Sequence, residues 1–189
     1  DIIDRFIREI LQWKHGQISV EEYSAGEKQE YIDYLLRSGD NKIIIEAKKI
    51  GSTFPTPTKK KKLKLTGSIL SEGEISKAIT QAERYAKSKE ANLVAVTNGT
   101  CWCFYPFDPN VDRDYIYAYL LFPFNDIKDA EELFDIFSIH NVENDSLSKL
   151  TYENPNTIIR SLVRTTINAD ARIGRNIIAD YISPALDYA

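Results

Sequence analysis

Hydrophobic residues recur along the chain with two different spacings, which predict helices in some segments and strands in others. Residues 1–14 and 74–89 carry apolar side chains every three or four positions, which is the spacing of an amphipathic helix. Short runs rich in Ile, Val, Tyr and Leu predict strands over residues 18–23, 31–36, 42–47, 92–97, 101–105 and 115–122. A short helix is predicted over 129–137, and two helical stretches over 155–185.

The order of these elements predicts a mixed α/β (α+β) domain with a central mixed sheet flanked by helices. We assign residues 1–150 to this domain and residues 151–189 to a helical extension or linker. No glycine-rich phosphate loop follows any strand, which argues against a Rossmann fold or a Walker-type nucleotide site. Residues 50–67 contain prolines, glycines and many lysines, and we predict an irregular excursion there.

Composition places the chain among ordinary globular proteins, with 43% hydrophobic and 28% charged residues in 189. No run of 18 apolar residues and no signal peptide is present, so we expect no membrane association and a cytoplasmic location. Cys101 and Cys103 are expected to be reduced, and with only two histidines they do not form a zinc motif. Because the chain lacks methionine, we expect it to be part of a longer protein.

Positive charge is concentrated in one segment of a chain whose net charge is -4. Residues 42–64 contain eight lysines against the single acid Glu46, which gives this window a charge of +7. Four of the lysines are consecutive: Lys59, Lys60, Lys61 and Lys62. The segment is either a solvated loop or a loop that contacts nucleic-acid phosphates without reading bases.

The turn at Gly39-Asp40 predicts a hairpin that brings chemically active residues together. If the hairpin is symmetric about these two residues, Asp33 lies opposite Glu46 on the neighbouring strand. Side chains alternate along a strand, so Lys48 lies on the same face as Glu46. Two carboxylates and one ammonium group are therefore expected on one face of the sheet.

Two facing carboxylates repel each other unless a cation lies between them. Their hard oxygen ligands suit Mg²⁺, which can polarise a phosphoryl oxygen and lower the pKa of a bound water. Lys48 could then orient that water or neutralise developing charge. The alternative is a solvated strand face, although the run Ile43–Ile45 before Glu46 favours a buried strand in which an idle carboxylate would be costly.

Four motifs in this order resemble the PD-(D/E)xK nuclease superfamily, and more specifically the N-terminal nuclease domain of type I restriction enzyme motor (R) subunits. They are the strand with Asp33-Tyr-Leu-Leu, the apolar strand ending in Glu46-Ala47-Lys48, the helix with Gln81-Ala-Glu-Arg-Tyr85, and Thr97-Asn98-Gly99 after a further strand. The resemblance covers roughly residues 1–125. It implies a restriction-endonuclease-like core.

The resemblance also implies roles for individual residues. Asp33 and Glu46 would bind Mg²⁺ or Mn²⁺, with the backbone carbonyl of Ala47 as a third ligand. Lys48 would be the catalytic lysine.

Three further residues take roles only through the resemblance. Gln81 and Tyr85 would position DNA or support the site, although simple packing also accounts for Tyr85. The superfamily often has an acid on its first helix, and Glu9 is the nearest candidate here.

Together these observations favour a magnesium-dependent endonuclease domain that cuts DNA in a restriction or anti-phage defence system, with other defence subunits as partners. The alternative is a non-catalytic module of similar fold that binds nucleic acid or docks a partner.

Overall fold

A computed structural model of the chain describes residues 2–24, 30–49, 51–55 and 61–150, which belong to a compact unit spanning Asp1–Thr151. Its strands are β1 (Ile18–Ser24), β2 (Glu30–Ser38), β3 (Asn41–Ala47), β4 (Lys62–Lys64), β5 (Leu93–Thr97), β6 (Trp102–Pro106) and β7 (Tyr117–Leu121). Its α-helices are α1 (Ile2–Arg5), α2 (Ser68–Ser71), α3 (Gly73–Lys89), α4 (Ile127–Phe137) and α5 (Ile139–Glu143). A π-helix (Phe6–Ile10) and three 3₁₀ helices (His15–Gln17, Arg113–Tyr115 and Ser146–Lys149) complete the described part.

The seven strands form one mixed sheet in the order β1-β2-β3-β5-β6-β7-β4. Neighbouring strands pair antiparallel except β3 and β5, which run parallel because the connection between them crosses over through α3. The predicted mixed α/β class, with a sheet flanked by helices, is therefore confirmed.

The two faces of the sheet are covered by different helices. Alternate residues such as Ile43 and Ile45 point into a core shared with the N-terminal helix, α4 and α5. The intervening residues, including Ile44 and Glu46, project from the opposite face, against which α3 packs with its own buried stripe. Lys48 follows β3 at the carboxyl end of this second face.

The hairpin of β2 and β3 has the predicted register. Its pairs run from Ser38↔Asn41 at the turn to Tyr34↔Ile45. Gly39 has a φ of 57° in the two-residue turn, a conformation that glycine adopts without a steric penalty. The turn therefore fixes which residues of β3 meet those of β2.

Two local features differ from the sequence prediction. The first helix is α-helical only to Arg5 and then widens into the π-helix, which ends where the Leu11 amide donates to the Phe6 carbonyl at 2.9 Å. The lysine-rich excursion contains the short strand β4, which pairs with β7 at the edge of the sheet. A three-residue strand with two lysines carries too little apolar pattern to be predicted from sequence.

The predicted helical stretches within 155–185, and the extension 151–189 as a whole, lie outside the described residues. None of the described helices is long and apolar enough to cross a lipid bilayer. Cys101 and Cys103 are both free and buried, as expected for reduced cysteines in a strand region.

Candidate active site

The candidate site begins where β2 and β3 stop pairing through their backbones. Counted from the turn, the last pair is Tyr34↔Ile45. Asp33 and Glu46 are the next residues on the two strands. At this point Asp33 accepts a hydrogen bond from the backbone N–H of Ala47 through Oδ2, at 2.8 Å. The carboxylate of Asp33, instead of a backbone carbonyl of β2, therefore accepts this hydrogen bond from β3. The bond fixes the carboxylate at the end of the hairpin.

Glu46 is deeply buried on the sheet face covered by α3. Only 2% of its surface is exposed, and its Oε2 has no hydrogen-bond partner. Burial raises the pKa of Glu46 to about 7, and the nearby negative charge of Asp33 adds to this effect. The hydrogen bond and charge of Lys48 act in the opposite direction. A buried carboxylate with one unsatisfied oxygen is costly, so a cation at this position would stabilise its charged form.

Lys48 connects the sheet to α3 through a chain of hydrogen bonds. Its Nζ donates to Glu46 Oε1 at 2.6 Å and to Gln81 Oε1 at 3.0 Å. Gln81 Nε2 in turn donates to the hydroxyl of Tyr85 at 2.9 Å. Gln81 and Tyr85 lie four residues apart on one side of α3, which allows this contact. The structure thus places Asp33 beside four residues joined by hydrogen bonds, which are Glu46, Lys48, Gln81 and Tyr85.

Arg84 also lies beside this group, and the sequence analysis did not identify it. Its guanidinium Cζ lies 5.9 Å from the ring centroid of Tyr85. Its positive charge is near enough to Glu46 to lower the pKa of that carboxylate slightly, against the larger effect of burial. The sequence could have indicated this residue, because Arg84 follows Gln81 by three positions on the same helix. Residues at this spacing are neighbours on a helix surface.

The segment that leaves the site after Lys48 is tied down by two contacts. Asn98, at the end of β5, donates through Nδ2 to the carbonyl of Ser52 at 2.8 Å. Glu74, at the start of α3, accepts from the backbone N–H of Thr53 at 2.8 Å. The Lys48 amide itself donates to the β5 backbone at Thr97, at 2.7 Å. These bonds fix the backbone at the lysine and at Ser52 and Thr53 beyond it.

Glu9 is not brought to the site. Its carboxylate forms an exposed ion pair with Arg5 at 3.0 Å, on the helix that packs against the opposite face of the sheet. Its expected role as the first-helix acid gains no support from this placement.

The lysine cluster is also placed elsewhere, as far as it is described. Lys59 and Lys60 lie outside the described residues. Lys61 forms ion pairs with Asp129 and, at 3.8 Å, with Asp126 beside the start of α4. Lys62 Nζ lies over the Tyr117 and Tyr119 rings, 5.0 Å and 5.7 Å from their centroids. Because β4 is the fourth strand beyond β3, these two lysines are roughly 19 Å across the sheet from the site.

The residues present fit a cation with few protein ligands. Within the described ranges, no group of three or more His, Cys, Asp or Glu side chains is arranged to hold a metal ion. A cation here would take oxygens from Asp33 and Glu46, and would need a backbone carbonyl and waters for its remaining positions. Mg²⁺ commonly binds in this way, with one or two carboxylates and several waters.

Comparison of the chain with protein-family models, with curated proteins and with solved structures found no match. The arrangement of residues at this site is therefore the basis for the functional proposal.

Proposed function

We propose that this chain is a nuclease domain of the PD-(D/E)xK type that hydrolyses DNA phosphodiester bonds with Mg²⁺ or Mn²⁺, in a restriction or antiviral defence system. The observation that carries the proposal is the buried carboxylate of Glu46, with one unpartnered oxygen, beside Asp33 and Lys48. A purely structural role would leave that oxygen without compensation, whereas a bound cation would satisfy it.

Each residue then has a defined task. Asp33 and Glu46 would hold the cation, with the carbonyl of Ala47 as a further ligand. When bound, the cation lowers the pKa of a water and polarises a phosphoryl oxygen. Lys48 uses two of its three ammonium hydrogens for Glu46 and Gln81, and the third can hold the attacking water or a phosphate oxygen. Gln81 keeps the ammonium in place, because its amide is itself fixed by Tyr85.

The experiment is cleavage of plasmid DNA by the wild type and by Lys48→Ala in Mg²⁺ or Mn²⁺. We expect loss of at least about a hundredfold in rate, which is the usual contribution of a positioned proton-transfer or charge-stabilising group. Lys49→Ala is the matched control, since Lys49 is the next residue and is exposed. Equal cleavage by Lys48→Ala and Lys49→Ala would remove Lys48 from the mechanism.

The second candidate is a non-catalytic module that binds nucleic acid or a partner. It is favoured by the ion pair between Lys48 and Glu46, which already satisfies one carboxylate oxygen without a metal. Calorimetric titration with Mn²⁺ of the wild type and of Glu46→Ala separates the two candidates. Binding by the wild type alone supports the nuclease, and absence of binding by both supports the module.

A further inference from the structure

A basic stripe runs along α3 beside the candidate site. Lys77, Gln81 and Arg84 follow one another at intervals of four and three residues, so they lie along one side of the helix. Lys77 and Arg84 are exposed, and Gln81 between them contacts the Lys48 ammonium at 3.0 Å. Two exposed cations therefore flank the residue that connects α3 to the catalytic lysine.

The two acidic residues of α3, Glu74 and Glu83, contact groups outside this stripe. Glu74, one turn before Lys77, accepts the backbone N–H of Thr53 at 2.8 Å. Glu83 lies on the far side of α3, where it accepts a hydrogen bond from the Tyr105 hydroxyl at 3.2 Å and lies 3.5 Å from Arg113. Both carboxylates of α3 thus have contacts that hold them in place.

Arg84 is also held in position. Its guanidinium lies near the face of the Tyr85 ring, and Tyr85 is almost fully buried and bonded to Gln81. A planar guanidinium fixed in this way suits the oxygens of a phosphate group better than a mobile ammonium does.

We infer that Lys77 and Arg84 form a track for the phosphate backbone of a nucleic acid. The two side chains bind phosphates without reading the bases, and the track leads the backbone past Lys48. This inference rests on the proposed function and supplies phosphate contacts beside the site, whereas Lys61 and Lys62 lie at the far edge of the sheet. Seven residues of helix span about 10 Å, which corresponds to about three base pairs along the axis of a duplex. The track therefore covers the nucleotides on either side of the scissile bond.

The test is the salt dependence of binding to a fluorescein-labelled DNA duplex, followed by fluorescence anisotropy in EDTA so that no cleavage occurs. Each phosphate contact contributes about 0.9 to the slope of log affinity against log salt concentration. The double variant Lys77→Ala/Arg84→Ala should have a slope smaller by about 1.8. Raising the salt from 50 to 200 mM should then weaken the wild type about twelvefold more than the variant.

The control is Lys128→Ala, an exposed cation of α4, the helix that packs against the opposite face of the sheet. Its slope should fall clearly less than that of the double variant. Equal slopes for the double variant and the wild type, equal losses in the control, or no binding by the wild type would each overturn the inference. Failure of the proposed function is a separate result, because DNA binding in EDTA can persist when the wild type cleaves nothing in Mg²⁺.

Discussion

Replacing Glu46 by glutamine should change how the stability of the protein depends on pH. The pKa of Glu46 is raised from 4.5 to about 7 in the folded protein, chiefly by burial. Well below pH 4.5 the carboxyl is protonated in both the folded and the unfolded chain, so its ionisation does not lower the free energy of unfolding. As the pH rises, the unfolded chain releases this proton first, so the free energy of unfolding falls until the pH exceeds about 7.

The size of the effect follows from the two pKa values. At about 1.4 kcal/mol for each pH unit, the shift from 4.5 to about 7 corresponds to roughly 3 kcal/mol of stability lost between pH 4 and pH 8. Glu46→Gln removes the titrating group, so its stability should rise relative to the wild type by up to this amount over the same range. Glutamine stays neutral at every pH, so only the wild type gains a charge beside Lys48 as the pH rises. The difference in slope between the two proteins is therefore the measured quantity.

The assay is urea unfolding of both proteins in EDTA at pH 4, 5, 6, 7 and 8. Glu83→Gln is the comparison, because Glu83 is a carboxyl whose pKa is also raised by burial and which lies on the far side of α3, away from Lys48. In a separate series at pH 8 without EDTA, Mg²⁺ should stabilise the wild type and should have little effect on Glu46→Gln. Parallel stability curves for the wild type and Glu46→Gln would refute the reasoning.

Three further predictions concern the cation and two buried contacts. Mg²⁺ binding, measured by calorimetry, should weaken about tenfold for each pH unit below 7 and level off above it, because Glu46 must lose its proton to bind. Tyr85→Phe should cost roughly 1 kcal/mol in urea unfolding, since Gln81 Nε2 loses its buried partner. Lys61→Met should cost about 1–3 kcal/mol, because the buried Asp129 carboxylate loses its ion pair and keeps the backbone N–H of Phe122 as a donor, while DNA cleavage at saturating substrate stays unchanged.

Each of these has a result that contradicts it. Mg²⁺ affinity independent of pH would mean that the cation does not bind at Glu46. Tyr115→Phe, at an exposed tyrosine, should leave stability unchanged, and an equal loss there would show that the effect is not specific to the site. A large loss of cleavage in Lys61→Met, with stability unchanged, would show that Lys61 contributes to DNA cleavage.

The part of the site within the hairpin could be predicted because it is local in sequence. Gly39 and Asp40 define a two-residue turn, and a turn of this length fixes the register of both strands that leave it. Alternation along β3 then places Glu46 and Lys48 on one face. The closeness of Asp33 to this pair follows from the same local rule.

The contacts made across the fold had no local signal. Gln81 reaches Lys48 across 33 residues of sequence, and Lys61 reaches Asp129 across 68. The resemblance of motifs indicated a supporting role for Gln81 without naming Lys48 as its partner. For Lys61 the sequence left open a solvated loop or a phosphate contact, and the structure pairs it with Asp129 instead. Spacing along the chain could not have distinguished these outcomes, because both depend on where α3 and β4 pack.

The sequence by itself determined the mixed α/β class, the hairpin register and the grouping of two acids with one lysine, since each of these follows from turn geometry and side-chain alternation over a few residues. Only the tertiary structure decided that Glu46 is buried with an unpartnered oxygen, that Arg84 lies beside the site, and that Lys61 and Lys62 lie at the far edge of the sheet. The physical reason is that burial and long-range pairing depend on which elements pack against one another, and that is a property of the whole fold.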